Sequence, residues 1–154
     1  MTRGMFVNAI YKLYGEPEIN ESLIEWTSEQ FTDFNESYIY SDALVWAYAN
    51  GIIVGTSDTQ LSPNATVTRE QAVTFLYRYN DMMYYDYDVD YSKSVEDFND
   101  WEDMEEYAYW PMDWAVTCGI INGTPEGMLE PKLTMPKEDC ATMILNFSNV
   151  AVYY

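Results

Sequence analysis

Apolar residues recur at helical spacing in three places along the chain. Ala72, Phe75, Leu76 and Tyr79 stand at i, i+3, i+4 and i+7, as do Cys140, Met143, Ile144 and Phe147, and Phe6, Ala9, Ile10 and Leu13. Such spacing predicts amphipathic helices. Thr68 precedes one of them with Gln71 three residues on, the spacing of a capping box. An apolar run from Asp42 to Asn50 predicts a further helix ending at Gly51, where a left-handed residue closes the last turn. Residues 2–14 read as a helix with Thr2 as cap, ended by Gly15-Glu16-Pro17. Asn20 to Trp26 read as a short helix with Asn20 as cap. Pro111 and Pro136 sit near helix starts, where a missing N–H costs little.

The pattern repeats. Shifted by 68 positions, Trp46 falls on Trp114, Gly51 on Gly119, Gly55 on Gly123, Leu61 on Leu129 and Pro63 on Pro131. Moved back 66 positions, Thr68-Arg69 falls on Thr2-Arg3. Phe31-Thr32-Asp33-Phe34 and Phe98-Asn99-Asp100-Trp101 stand ahead of the two full units. The chain therefore reads as one all-α domain over 1–154. It has the rear half of a repeat at 1–17, a repeat at 31–80, an acidic Tyr-rich linker at 81–97 and a repeat at 98–149. Helical pairs this small cannot bury their own apolar faces, so the copies are expected to share a core.

These residues resemble the S-layer homology family. The resemblance rests on Thr2-Arg3-Gly4-Met5-Phe6-Val7, on the Trp-Ala, Asn-Gly-Ile and Gly-Thr pairs within 46–56, on Leu61-Ser62-Pro63, and on Thr68-Arg69-Glu70-Gln71-Ala72. It implies a pseudo-threefold helical prism and an exported module that holds proteins to anionic cell-wall polysaccharide. It also implies polymer binding by Thr2, Arg3, Trp46, Thr68, Arg69 and Trp114. The third copy departs from the pattern, with Pro136-Lys137 in place of Thr-Arg, so that Lys137 is its one cationic candidate. Met1 falls where the family has an apolar residue. The reading taken is that Met1 is the start and that the front of the first repeat has been lost; a fragment of a longer exported protein is the other reading.

Charge changes the picture. Seven Lys and Arg face 26 Asp and Glu, a net charge of −19, with no His and 15 Tyr. Direct nucleic-acid binding is excluded on that balance, because it needs phosphate neutralisation. A basic protein partner is favoured. No apolar run approaches the roughly 20 residues of a membrane span. Two cysteines without imidazole fall short of a zinc site, and Cys140 reads as a small buried hydrophobe. A Cys118–Cys140 disulfide stays open. Asp86, Asp88 and Asp90 begin like an EF-hand loop, but Tyr91 and Asp97 stand where Gly and Glu are required. No metal or cofactor is expected. With no His base, no catalytic arrangement is expected either.

The acidic tract forms the other candidate site: Tyr84, Tyr85, Asp86, Tyr87, Asp88, Asp90, Asp97, Asp100, Glu102, Asp103, Glu105 and Glu106. In an extended chain Asp86, Asp88 and Asp90 point one way, roughly 6.6 Å apart. Flanked by Tyr rings, such a row predicts a nucleic-acid mimic. The primary expectation is thus a cytoplasmic, non-catalytic decoy, an anti-CRISPR-like inhibitor of phage or plasmid type. It would fill the basic groove of a nucleic-acid-binding effector. The alternative is the cell-wall anchoring module at the bacterial surface.

Overall fold

The computed structural model describes residues 1–85 and 87–151. Six helices carry them: α1 (Arg3–Tyr14), α2 (Glu21–Gln30), α3 (Ser41–Ala49), α4 (Arg69–Met83), α5 (Tyr109–Thr117) and α6 (Lys137–Val150). Three single 3-10 turns, at Val95–Asp97, Trp101–Asp103 and Glu106–Ala108, lead into α5. The described residues form no strand beyond isolated bridges, so the architecture is all-α. Caps sit where local chemistry places them. Thr2 accepts from Met5 N–H, Asn20 from Ser22 N–H, and Thr68 with Gln71 completes a capping box. Gly15 and Gly51 take φ of 107° and 70°, closing α1 and α3. Helix α2 runs on past Trp26 to Gln30, because Thr27 turns inward and is fully buried.

Contacts gather the chain into two compact units, Met1–Thr66 and Val67–Tyr154. The division falls inside the repeat at 31–80. In the first unit α1 packs on α3, and in the second α4 packs on α5. Each unit thus pairs the rear helix of one repeat with the front helix of the next. The joint is the same in both. Arg3 N–H donates to Ala65 O (2.9 Å) and Gly4 N–H to Pro63 O (2.8 Å); Arg69 N–H donates to Leu133 O (2.9 Å) and Glu70 N–H to Pro131 O (3.0 Å). Bridges Thr2–Thr66 and Thr68–Thr134 complete it. The Leu-x-Pro segment of each of these repeats therefore docks on the N-terminal turn of the preceding repeat's rear helix, α1 or α4.

The Phe-x-Asp motif holds that segment in shape. Asp33 accepts from Leu61 and Ser62 N–H at 2.9 and 2.8 Å, and Asp100 from Leu129 and Glu130 N–H at 2.7 Å each. A carboxylate with two oxygens fits two adjacent amides, and such charge-assisted bonds are the strong ones. Phe31 and Phe98 lie against Gly55 and Gly123, where an added Cβ would fall 3.0 and 2.1 Å from the ring. Within the second unit, Lys132 bridges the buried Glu70 and the exposed Glu105 at 2.7 Å each, and Glu105 N–H also donates to Glu70.

Cys118 and Cys140 are both buried and free, so no disulfide joins them. Burial pushes both thiols up from 9.0 to about 11. Burial also raises Tyr11 and Tyr77, with Asp42 and Asp81 adding to it. An acid whose folded pKa is raised costs nothing below its unfolded pKa and opposes folding above it. The fold is therefore expected to lose stability as pH rises from about 9 through about 11, the thiols acting first. Denaturant midpoints at pH 7, 9 and 10 check this. A Cys118→Ala, Cys140→Ala double variant should show the shallower slope between pH 9 and 10.

Candidate functional site

The two Thr-Arg copies begin alike and end differently. Thr2 and Thr68 are helix caps, and the first N–H groups of α1 and α4 are spent on the docking carbonyls and on the cap oxygens. Those amides hold the next loop and are not free to grip an anion.

The Arg side chains diverge. Arg3 is 6% exposed, and its Nε donates to Leu61 O and its Nη2 to Val54 O, each at 3.2 Å. Arg69 in the same register would meet Leu129 and Asn122. Instead its Nε is buried with no acceptor. Its Nη2 lies 3.9 Å from a Glu130 carboxylate oxygen. Glu130 stands where the first copy has Ser62, and both residues take positive φ, 54° and 52°. The backbone is the same, but a carboxylate has replaced a hydroxyl that in the first copy lies 2.5 Å from Thr56 Oγ1. That carboxylate is the physical reason we give for Arg69 turning away from the backbone carbonyls.

Arg69 lines a cavity of about 230 Å³ with Ile121, Asn122, Met135, Asp139, Thr142, Met143 and Asn146. Asn146 spends its amide N–H on Ile120 O (3.0 Å), which leaves its oxygen as an acceptor. The cavity thus offers one guanidinium, neutral amides and a hydroxyl above an apolar floor, with one carboxylate at its edge. That set suits a single anionic group carried on a polar ring. Sequence reasoning found Arg69 but not Asn122, Glu130, Thr142 or Asn146. The only signal for them was the register itself, which sets Glu130 against Ser62.

Trp46 and Trp114 are buried, at 5% and 6% exposure. Tyr11 and Tyr14 flank the Trp46 ring at 5.5 and 5.1 Å. Tyr77 takes the place of Tyr11 beside Trp114 (5.4 Å), but Asn80 occupies the Tyr14 position, and Tyr87 from the linker supplies the second ring at 5.9 Å. Asn80 Oδ1 and Trp114 Nε1 join Arg69 Nε as buried polar atoms without a partner. Lys137 opens α6 from an exposed position.

The acidic candidates do not form one face. Asp100 is buried, its two oxygens turned onto the Leu129–Glu130 amides. Tyr85 is buried against Tyr79 and Phe147, and Tyr87 packs on Trp114. Asp90 is tied to Ser92 and Lys93, and Asp97 caps its own turn at Ser94 N–H. Glu105 bonds Lys132. Tyr84, Asp88, Glu102, Asp103 and Glu106 are exposed, and Asp86 lies outside the described residues. The Tyr residues of the linker were expected to flank a charge row. Tyr85 and Tyr87 instead fill the core, because a helical repeat with Asn80 in place of an aromatic needs rings from elsewhere. No group of three or more acids or cysteines placed to hold a metal occurs among the described residues.

Residues 30–73 match the S-layer homology domain. The chain is also similar to an exoglucanase, XynX, of Acetivibrio thermocellus: 28% identity over 147 residues, 94% of this chain and 12% of that protein. An endoglucanase of Bacillus sp. (strain KSM-635) is 23% identical over 71% of the chain, and an amylopullulanase of Thermoanaerobacterium thermosulfurigenes is 26% identical over 94%. The chain spans 12% and 7% of those two proteins' lengths. The similarity is thus to a small part of each large enzyme.

Proposed function

We propose that this chain is a non-catalytic anchoring module which holds a protein to an anionic cell-wall polysaccharide at the bacterial surface. The observation that carries the reading is the cavity at Arg69, a guanidinium with an unpaired buried Nε within the segment that matches the S-layer homology domain. The similarity to minor segments of polysaccharide-named enzymes supports it, since an anchor is a part that large proteins can carry. The pseudo-threefold prism belongs to the same proposal, supported by the thrice-repeated apolar helix face. The cytoplasmic decoy is not retained. The comparisons lend it no support, and Asp100, Tyr85 and Tyr87, three of its named residues, are buried or half-buried.

The charge makes a test with a definite sign. A protein of net charge −19 approaching an anionic polymer is repelled at long range. Raising salt from 10 to 150 mM shortens the screening length from about 30 to about 8 Å. Repulsion then fades, while the close Arg69 contact is screened less. Association with purified sacculi is therefore expected to quicken several-fold over that range. A basic protein partner would show the reverse, steering that weakens with salt. Arg69→Ala should abolish retention on sacculi at either salt. Wild-type protein that passes through the sacculi unretained at 150 mM would remove the anchoring reading.

A further inference from the structure

We infer that Asn122, followed by Gly123, is a site of spontaneous deamidation, and that its product adds a carboxylate to the cavity it lines. The chain holds two Asn-Gly pairs, Asn50-Gly51 and Asn122-Gly123. Neither pair recurs in the other copy, where Cys118 stands at the Asn50 position and Val54 at the Asn122 position. The first pair closes α3, and the second lies in the loop after α5. Asparagine is among the thermolabile residues. A following glycine leaves its backbone nitrogen open to approach, since it has no Cβ and its dihedrals are permissive.

The step needs nothing but water. The Gly123 nitrogen, having given up its proton to solvent, attacks Cγ of Asn122. The N–Cγ bond forms, the Cγ–Nδ2 bond breaks, and Nδ2 leaves as ammonia with that proton. The five-membered ring so made is a succinimide. Water opens it at either carbonyl, giving Asp or isoaspartate. One water enters and one ammonia leaves, with no oxidant or reductant involved.

Asn50 is locked against this step. Its Nδ2 donates to Trp46 O at 2.8 Å, and Gly51 N–H donates to Tyr48 O at 3.1 Å in the turn that closes α3. A bonded N–H keeps its proton more firmly, and the turn holds both reacting groups in place. Asn122 has neither restraint. Among the described residues its side chain, its carbonyl and the Gly123 N–H make no hydrogen bond. At its counterpart Val54 the carbonyl accepts from Arg3 Nη2 at 3.2 Å. Asn122 is exposed, so water reaches it. It lines the cavity of about 230 Å³ together with Asp139. Deamidation therefore sets a second carboxylate there in place of a neutral amide.

Peptide mapping of the full chain, aged at pH 8, reads both pairs at once. Cleavage after Lys and Arg puts Asn50 in residues 13–69 and Asn122 in residues 94–132. Fragment masses locate the exchange of amide for acid, and an isoaspartate-specific methyltransferase marks the isomer. In the native protein Asn122 should convert at least tenfold faster than Asn50. In urea, where α3 is undone, the two rates should come within about threefold. A native Asn50 rate equal to that of Asn122, or Asn122 intact after native ageing, would overturn the inference. A tenfold gap that persists in urea would overturn it too, because the folded contacts would then not be its cause. On the anchoring reading, Asn122→Asp should be retained several-fold less on sacculi than Asn122→Gln. Equal retention of the two variants, with wild type retained, would overturn the placing of the charge in the cavity. If Asn122 converts while wild-type protein ignores sacculi, the modification site stands and the anchoring reading falls.

Discussion

Asp100→Ala should lower stability by about 3–5 kcal/mol, read as a fall in the denaturant midpoint. The carboxylate is 6% exposed and accepts two amides at 2.7 Å. A hydrogen bond to a charged group contributes about 1.5–3 kcal/mol, and a buried amide stripped of its acceptor costs a similar amount. Alanine removes both bonds at once, and Leu129 is only 1% exposed. Against a typical total of roughly 5–15 kcal/mol this is a large fraction. A shift of about 2–4 °C per kcal/mol for a chain of this size gives a fall in melting temperature of roughly 10 °C. Asp100→Asn keeps one oxygen and should lose about half as much. Asp33→Ala is the comparison. Its bonds are slightly longer and the side chain is only half-buried, so the loss should be nearer 2 kcal/mol. Equal losses at the two positions would contradict this account of burial.

The fold was largely legible because its signals are local. Thr68 with Gln71, Gly51 after Asn50, and the face Ala72–Tyr79 each specify their own turn of chain, and each appears as read. Register extended that reading. Aligning Phe31 with Phe98, 67 positions on, sets Asp33 against Asp100, and both accept from amides at the Leu-x-Pro segment of their own repeat. What stayed hidden depends on contacts made far along the chain. Nothing near Asp100 in sequence says that its charge turns inward, so it was counted with the surface acids. Nothing near Tyr87 says that it replaces an aromatic lost at Asn80. Composition misled there, since 26 acids and 15 Tyr invite a reading as a charged, ring-studded face. Tyr85 is core and Tyr87 packs half-buried on Trp114, while Asp100, Asp90 and Asp97 serve turns and caps.

The site was half legible for the same reason. Arg3 and Arg69 look equivalent in sequence, and the loops that dock on them bond identically. The difference arises at Glu130, more than sixty residues from Arg69, where a side chain rather than a backbone dihedral has changed. Register alone could have raised the question by setting Ser62 against Glu130. Only geometry shows that the exchange redirects a guanidinium.

Gly55→Ala is expected to be the most damaging single methyl group in the first unit, at about 3 kcal/mol. No positive φ is involved; the constraint is space. The added Cβ would stand 2.3 Å from Ser57 O, 2.9 Å from Gln60 O and 3.0 Å from the Phe31 ring. Two of these are backbone atoms of one tight loop, held by Thr56 N–H to Gln60 O at 2.8 Å, so neither can swing aside. Overpacking of this kind costs about 1–3 kcal/mol and more where backbone must shift. Gly123→Ala meets the Phe98 ring at 2.1 Å and Met128 O at 2.9 Å. Phe98 is half-buried where Phe31 is 3% exposed, so its ring can yield and the loss should be smaller. Gly51→Ala meets nothing within 4 Å and bears only its φ of 70°, about 1 kcal/mol. Denaturant midpoints should rank the three in that order with unchanged slopes. Because Val54 O, one of the two acceptors of Arg3, adjoins Gly55, the Gly55 variant should also quicken hydrogen exchange at Arg3 Nε–H. An unaltered Arg3 signal in a destabilised Gly55→Ala protein would mean that the loop does not brace the Arg3 side chain.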